Sequence, residues 1–244
     1  MQVNVHHERM LVISDLHLGN HLFHDISVLD NFIDFAINHG YSLCINGDGV
    51  DIMQSSFKEI AKQVPPVFAR LSRARKRGLH VYLVVGNHDL VFEHFLQDWQ
   101  MCEIVPFLNL NSGDKRVRIE HGHIYDSVYV SSPGIYNFLV GLAGMLMVSI
   151  PSLYRVWEKI ELAIYGSDVN GTGGWHGEDP VYERSARELA ERGFDTIIFG
   201  HTHRPGVVDL GDDKVYINQG SWIYRPYYVE INNGKTELKT FSTN

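Results

Sequence analysis

The 244-residue sequence predicts an α/β fold in which a two-sheet β-sandwich is flanked by helices and carries a helical insertion. Three observations predict it. Apolar strands alternate with helical patterns in the N-terminal part, short strands joined by Gly- and Asp-rich turns fill the C-terminal part, and an apolar stretch separates the two. We expect a single domain over 1–244, with 133–179 forming a helical cap and a loop within it.

The N-terminal part favours parallel strands, because its strands alternate with helices. Buried strands are expected at three apolar runs: 10–15, 42–46 and 80–86. Helices are expected between and after them: 26–38, 57–77 and 90–99. Pro65 and Pro66 should break or restart the second helix, since proline lacks the N–H that the helix needs.

The C-terminal part has the pattern of short hairpin strands. Residues 106–121 surround the turn NSGDK, and the segments GVVDL, KVYIN, YYVEI and TELKTF are separated by GDD and NNG. The two ends of the chain therefore predict two sheets, packed face to face with helices outside.

The middle of the chain, 133–166, is apolar and helical in character, and the Gly- and Asp-rich 166–179 is typical of a loop. Its apolar core, 135–150, is short for a membrane span of about 20 residues, so we expect a helical insertion with an exposed apolar face instead of a transmembrane helix. That face could line a groove for acyl chains, form a homodimer contact or pack on the domain.

The composition limits which binding partners and which cellular compartment are expected for the protein. The formal net charge of −8 argues against non-specific nucleic-acid binding, which needs clustered Lys and Arg. The one basic run, 70–78, is interpreted as a solvated helix face. Cys44 and Cys102 lack metal-site spacing and fit buried free thiols, and no signal-peptide pattern precedes the first strand. A cytoplasmic location is expected.

Polar side chains follow five apolar runs along the chain. They are Asp15 and His17, Asp48 and Asp51, Asn87, His88 and Asp89, His121 and His123, and His201 and His203. Ligands of α/β sheets bind beyond the carboxyl ends of the strands, and the adjacent glycines would let the backbone bend so that these side chains share one cleft.

Mixed oxygen and nitrogen donors suit divalent Mn²⁺, Fe²⁺ or Zn²⁺, with Mn²⁺ preferred here. The set is large enough for two ions that share one carboxylate. Two such ions can hold the attacking and leaving oxygens of a phosphoryl group and lower the pKa of water. The residues alone thus indicate phosphoryl chemistry.

In order along the chain, the motifs DLH, GDGVD, GNHD, HGH and GHTH resemble those of the calcineurin-like metallophosphoesterase superfamily. The resemblance implies its αββα fold and assigns the metal ligands as follows: Asp15, His17 and His203 on the first ion, Asn87, His121 and His201 on the second, and Asp48 between them. It places His88 at a leaving-group or phosphate oxygen, oriented by Asp51. His123 stays outside the metal set, and 218–221 (NQGS) supports the site.

Length and layout are most similar to the UDP-2,3-diacylglucosamine pyrophosphatase group. That resemblance implies a lipid- or nucleotide-linked diphosphate as substrate and a role in lipid A synthesis. The apolar insertion 133–166 itself suggests contact with the membrane surface, with Arg155 or Lys159 meeting a phosphate. This chain has His88 where that group typically carries arginine, which leaves the substrate open. Small soluble phosphoesters and a non-catalytic scaffold of the same fold are the alternatives.

Overall fold

The computed structural model describes residues 3–20, 23, 26–97, 99–132, 134–135, 138–139, 141–142, 146 and 180–242. Twelve named strands form two sheets of six. In spatial order the first sheet contains β12 (Lys235–Thr240), β11 (Tyr227–Asn232), β2 (Arg9–Ile13), β3 (Ser42–Asn46), β4 (Val81–Val84) and β5 (Glu103–Val105). The second contains β1 (Asn4–His6), β6 (Leu108–Ser112), β7 (Lys115–Ile119), β8 (Thr196–Phe199), β10 (Lys214–Asn218) and β9 (Gly206–Gly211).

Four α-helices and two short 3₁₀ helices are named within the described residues. The α-helices are α1 (Ile26–Asn38), α2 (Phe57–Lys76), α3 (Ser127–Ser131) and α4 (Pro180–Glu191). The 3₁₀ helices span Leu90–Phe95 and His123–Tyr125.

The molecule is layered as helices, sheet, sheet and helix. Leu11 and Ile13 of β2 pack outward against α1 and α2, whereas Met10 and Val12 of the same strand point into the core between the sheets. Alternate residues of a strand face opposite sides, so one apolar run serves two cores. On the far side, Ile197 and Phe199 of β8 pack against α4. The predicted helix-flanked sandwich is confirmed.

The predicted division of the sheets between the two ends of the chain is wrong. The four C-terminal strands separate into two pairs: β10 lies parallel to β8 in the second sheet, and β11 lies antiparallel to β2 in the first. Both hairpins have the same local pattern, so only long-range pairing decides which sheet each one joins.

Two helix expectations were also wrong. Pro65 and Pro66 do not interrupt α2, which continues because Gln63, Val67 and Leu71 hold its buried stripe in register while both prolines face solvent. The stretch 90–99 forms only a short 3₁₀ helix, and the chain then returns to form β5, a strand that the pattern did not predict. Strand β1 and helix α4 were missed as well.

The apolar segment, here residues 134–146, is helical at the positions that the structure describes, and all of these except Gly141 are exposed. Its exposed apolar side chains are Ile135, Phe138, Leu139, Leu142 and Leu146. Packing on the domain therefore does not account for these five side chains. In the described part of the chain, no helix has the length and apolar character that crossing a membrane requires.

Candidate metal centre

The carboxyl ends of five strands meet at one edge of the sandwich. Strands β2, β3 and β4 of the first sheet lead into Asp15 and His17, into Asp48, and into Asn87, whereas β7 and β8 of the second sheet lead into the remaining histidines. Parallel pairing of β2 with β3, β3 with β4, and β7 with β8 brings these ends to the same side.

Asn46, the last residue of β3, links the two sheets beneath this edge. Its side-chain Nδ2 donates to the Glu120 carbonyl at 3.0 Å, and its own carbonyl lies 2.9 Å from Nδ1 of His121. The carbonyl can only accept, so His121 carries a proton on Nδ1, which leaves Nε2 as the nitrogen that would bind an ion.

A first group of donor atoms joins Asp15, His17 and His203, whose donor atoms all lie within 4.8 Å of one another. Asp15 Oδ1 is 3.1 Å from Nε2 of His203, and the Nε2 atoms of His17 and His203 are 3.4 Å apart. Separations of this size suit ligands about 2 Å from a shared ion.

A second group surrounds Asn87, whose Oδ1 is 3.1 Å from Nε2 of His121 and 2.9 Å from Nδ1 of His201. Asp48 faces both groups through one oxygen, since its Oδ2 is 3.3 Å from Nε2 of His121 and 3.8 Å from Nε2 of His17. The structure thus brings all seven predicted ligand side chains into one cluster.

His88 and Asp51 lie beside the first group. Nδ1 of His88 is 3.1 Å from Asp51 Oδ1, and the other Asp51 oxygen accepts from Asn20 Nδ2 at 2.7 Å. The Gln54 amide N–H donates to Asp51 as well, at 2.8 Å. Asp51 is therefore fixed from three sides, and it orients the His88 ring with Nε2 unbound by this carboxylate.

Histidines alone pair with the buried carboxylates of the cluster, as far as the described residues show. Asp15, Asp48 and Asp51 are buried, and among the described residues their only ion-pair partners are histidines. Burial would lower the pKa of His121, but the charges of Asp48 and Asp15 outweigh it and raise that pKa to about 9. Against burial, which would raise it, neighbouring His121 and His88 hold the pKa of Asp48 well below its ordinary value.

These observations fit divalent cations. Buried carboxylates without a Lys or Arg partner are costly unless a cation neutralises them. Asp15 Oδ1 and His17 Nδ1 are buried and form no hydrogen bond within the described residues. The donor set and its charge therefore suit a dinuclear divalent metal centre.

The backbone bends at the ligands themselves. Asp15, His17, Asp48, His201 and His203 all have positive φ, between 48° and 67°. The sequence had assigned the bending to neighbouring glycines, and Gly47 and Gly122 do have positive φ, of 79° and 98°. Two of those glycines serve another purpose, because an added Cβ would lie 2.2 Å from Asp48 Oδ1 at Gly86 and 2.2 Å from Ser14 Oγ at Gly200.

Asp126 is a site residue that the sequence did not reveal. Its Oδ2 is 3.1 Å from Nε2 of His201, while its Oδ1 accepts from the amides of Val128 and Tyr129 and caps α3. The hydrogen bond with His201 lowers the pKa of Asp126 to about 2. An Asp before a helix signals the cap, but nothing in the sequence signals the second contact.

Asp89 appeared among the strand-end residues without a role. Its carboxylate accepts from the Gly86 amide at 2.7 Å and the Gly49 amide at 2.8 Å, and so ties the Asp48 loop to the Asn87 loop. Burial and the charge of Asp48 raise the pKa of Asp89 to about 6.

The remaining predicted residues fall into three cases. His123 is buried beside the cluster, 5.5 Å from the His121 ring by centroid, and burial with the charges of His121 and His201 lowers its pKa to about 3. In 218–221, Asn218 donates to the Gly200 carbonyl and Ser221 to the Asp15 carbonyl, which braces two ligand loops. Arg155 and Lys159 lie outside the described residues.

With the geometry in view, comparison with known proteins identifies the family. The family model for calcineurin-like phosphoesterases matches residues 8–205, which include all of the predicted metal ligands. The chain belongs to the calcineurin-like phosphoesterase family. It is a metal-dependent phosphohydrolase.

Curated relatives similar over nearly the whole chain share one name. The UDP-2,3-diacylglucosamine hydrolase of Azotobacter vinelandii is 25% identical over 246 residues, covering 95% of this chain and 98% of the relative. That of Pectobacterium carotovorum is 26% identical over 255 residues, with the same coverage of 95% and 98%.

The solved structures that the chain resembles are more distant in sequence. Vacuolar protein sorting 29 of Cryptosporidium parvum is 15% identical, with a TM-score of 0.46, and covers 97% of this chain and 100% of its own. A predicted phosphoesterase of Streptococcus pneumoniae is 14% identical, with a TM-score of 0.42 and coverage of 96% and 98%.

Proposed function

We propose that the protein hydrolyses the diphosphate of a UDP-linked, acylated amino sugar, in the manner that the name of its relatives indicates for them. The observation that carries this proposal is the convergence of Asp15, His17, Asp48, Asn87 and the histidines of β7 and β8 on one edge. The shared name of the relatives supports the substrate class.

In this proposal the two donor groups hold two divalent ions, Mn²⁺ before Fe²⁺ or Zn²⁺. Asp15, His17 and His203 hold the first ion, Asn87, His121 and His201 hold the second, and Asp48 contacts both. Bound ions supply positive charge for the phosphoryl oxygens and lower the pKa of water. Because Nε2 of His201 faces Asp126, this histidine binds through Nδ1.

His88 is proposed to act on the substrate through Nε2. Asp51 accepts a hydrogen bond from the protonated Nδ1 of His88 and fixes the ring. Nε2 is therefore the nitrogen that can contact a phosphate or leaving-group oxygen. Burial alone would lower the pKa of His88, but Asp48 and Asp51 outweigh it and raise that pKa. A protonated His88 stabilises the developing negative charge by donating a hydrogen bond.

The apolar segment is proposed to receive the acyl chains. Phe138 and Leu139 are 67% and 54% exposed, in a stretch that follows the Asp126 cap by one short helix. An exposed apolar surface that follows a polar site so closely in the chain suits a lipid-bearing substrate, and it could also rest against a membrane surface or a second copy of the chain. The buried free thiols Cys44 and Cys102 are consistent with a cytoplasmic enzyme.

The test compares three substrates with the Mn²⁺-loaded protein: UDP-2,3-diacylglucosamine, UDP-glucosamine without acyl chains, and a soluble aryl phosphodiester. We expect a far higher kcat/KM for the acylated substrate than for the other two. If the aryl diester alone is cleaved, the two-metal assignment stands and the lipid substrate is wrong. His88, in place of the arginine of the lipid-processing group, would then mark a small soluble phosphoester as the substrate.

A further inference from the structure

A cavity lies at the end of the first sheet that is opposite to the metal centre. It has a volume of about 350 Å³ and is bounded by the starts of β2 and β3 and by the chain just before β4. Arg9 begins β2, and the metal ligand Asp15 follows the other end of that strand, so the two residues lie at opposite ends of it. The cavity volume falls in the range of small-molecule sites, about 300–1,000 Å³.

The cavity is basic although the chain is acidic. Arg9 and Arg77 supply its positive charge, His7 and His80 also line it, and Glu8 is the one acidic residue among its lining. The Glu8 carboxylate is already engaged, because its Oε2 accepts from the Gly113 amide at 2.7 Å and its Oε1 lies 3.0 Å from Nε2 of His6. The Glu8 carboxylate is thus directed to the Gly113 amide and to His6, and not to the two guanidinium groups.

Arg9 is held in place with one donor unused. Its Nη1 donates to the His39 carbonyl at 2.6 Å, and its guanidinium lies over the Tyr41 ring at 4.2 Å from the centroid. Its Nε is buried and has no hydrogen-bond partner among the described residues. An unsatisfied buried donor is costly, and an oxyanion would satisfy it.

The C-terminal ends of α1 and α2 form two walls of the cavity, and they repel an anion only weakly. The turn after α1 directs the Gly40 and Tyr41 amides to the Ile37 and Ala36 carbonyls, at 3.2 and 2.9 Å. The turn after α2 satisfies its last carbonyls in the same way. Because these carbonyls already accept hydrogen bonds, the partial negative charge that each helix C-terminus presents to the cavity is reduced.

We propose that this cavity binds a phosphorylated small molecule, with its phosphate between Arg9 and Arg77 and its apolar part against Ile37 and Leu79. Arginine suits this ligand because its fork of donors matches the phosphate oxygens. Arg77, whose side chain is 53% exposed and whose Nη1 is 3.9 Å from Asp34 Oδ1, can turn toward a ligand that enters from solvent. The site is independent of the metal centre and of its substrate.

The test follows the imidazole proton resonances of His7 and His80 by NMR at pH 7, with the protein loaded with diamagnetic Zn²⁺. Their rings are 5.1 Å apart in the cavity wall, so they report on this site and not on the metal centre. The titrants are inorganic phosphate and then a phosphate monoester. We expect saturable shifts of both resonances, with the monoester binding more tightly than phosphate.

Two variants and a control localise the binding. Arg9→Gln and Arg77→Gln should each weaken it at least about 10-fold, since a hydrogen bond to a charged group is lost. Lys76→Gln removes an exposed charge that does not line the cavity and should leave the affinity within about 2-fold. The Arg77 side chain is 53% exposed, so its variant tests the site even if Arg9→Gln fails to fold.

The proposal would be overturned if neither the His7 nor the His80 resonance shifts at up to about 10 mM of either titrant. Even a weak ligand, with a Kd of about 1 mM, would nearly saturate the cavity at that concentration. Equal weakening by Lys76→Gln and Arg77→Gln would also overturn the proposal, because general attraction to the basic helix end would then explain the binding.

Discussion

The metal centre and the apolar segment 134–146 are held in opposite ways. In the centre, the side chains of Asp15, Asp48 and Asn87 are at most 1% exposed, so the surrounding protein holds each of them in position. In the segment, Ile135 and Phe138 are 62% and 67% exposed. A rigid, buried cluster suits one chemical step, whereas an exposed apolar surface suits recognition. We therefore expect changes in the centre to affect every substrate and changes in the segment to affect only some.

The largest effect is expected from Asp48→Asn. Asp48 faces both donor groups through one oxygen, so losing its charge weakens both ion sites. We expect kcat to fall by at least about 10³-fold for the acylated substrate and for the aryl diester alike. Kinetics and metal content by mass spectrometry measure it, with Asp114→Asn on an exposed turn as the control. Full metal content with unequal losses for the two substrates would contradict the assignment.

A smaller effect is expected from Asp126→Asn. Asparagine still accepts the amide hydrogen bonds that begin α3, but it removes the charge beside Nε2 of His201. We expect a 10- to 100-fold rise in the Mn²⁺ concentration needed for activity, with little change in stability. Asp126→Ala should add a loss of stability. An unchanged Mn²⁺ requirement in Asp126→Asn would limit Asp126 to a capping role.

The double variant Phe138→Ser, Leu139→Ser separates the two regions. Each side chain contributes roughly 1.5–3 kcal/mol when an apolar ligand buries it fully, and partial burial leaves an expected loss of about 10- to 100-fold in kcat/KM for the acylated substrate. Hydrolysis of the aryl diester should be unchanged. Val207→Ser, at an apolar residue that is 52% exposed on β9, is the matched control. Equal losses for both substrates would show that the segment supports the centre instead of selecting the substrate.

The smallest effect is expected at His7, which lies at the other edge of the first sheet and gives a baseline for stability. Burial, with repulsion from His80 and His6, lowers the pKa of His7 to about 4. The unfolded chain therefore binds a proton more readily than the folded one between about pH 6.5 and 4, and stability falls as the pH falls through that range.

Because His7 is only half-buried, solvent screening reduces this loss to about 1 kcal/mol. Urea unfolding at pH 7 and pH 5 measures it. The wild type should lose more stability than His7→Gln between the two values. The same pH dependence in both proteins would contradict the lowered pKa.

The sequence predicted the metal centre better than the sheets. The residues that identify the centre are neighbours in the chain, whereas strand pairing depends on residues far apart in it. Asp48 and Asn87 each follow an apolar run directly, so the strand and its polar end are visible together. Which sheet β11 joins depends on its pairing with β2, more than 200 positions away in the chain. Asp126 escaped notice because its contact with His201 exists only after the chain has folded.

The left-handed backbone at Asp15, Asp48 and His203 has a consequence for the history of such proteins. A residue with a side chain is strained there, by about 1 kcal/mol or more, and glycine is not. Replacing a ligand with glycine should therefore relieve this strain while it abolishes hydrolysis. The strain at these positions persists only because catalysis requires the ligands.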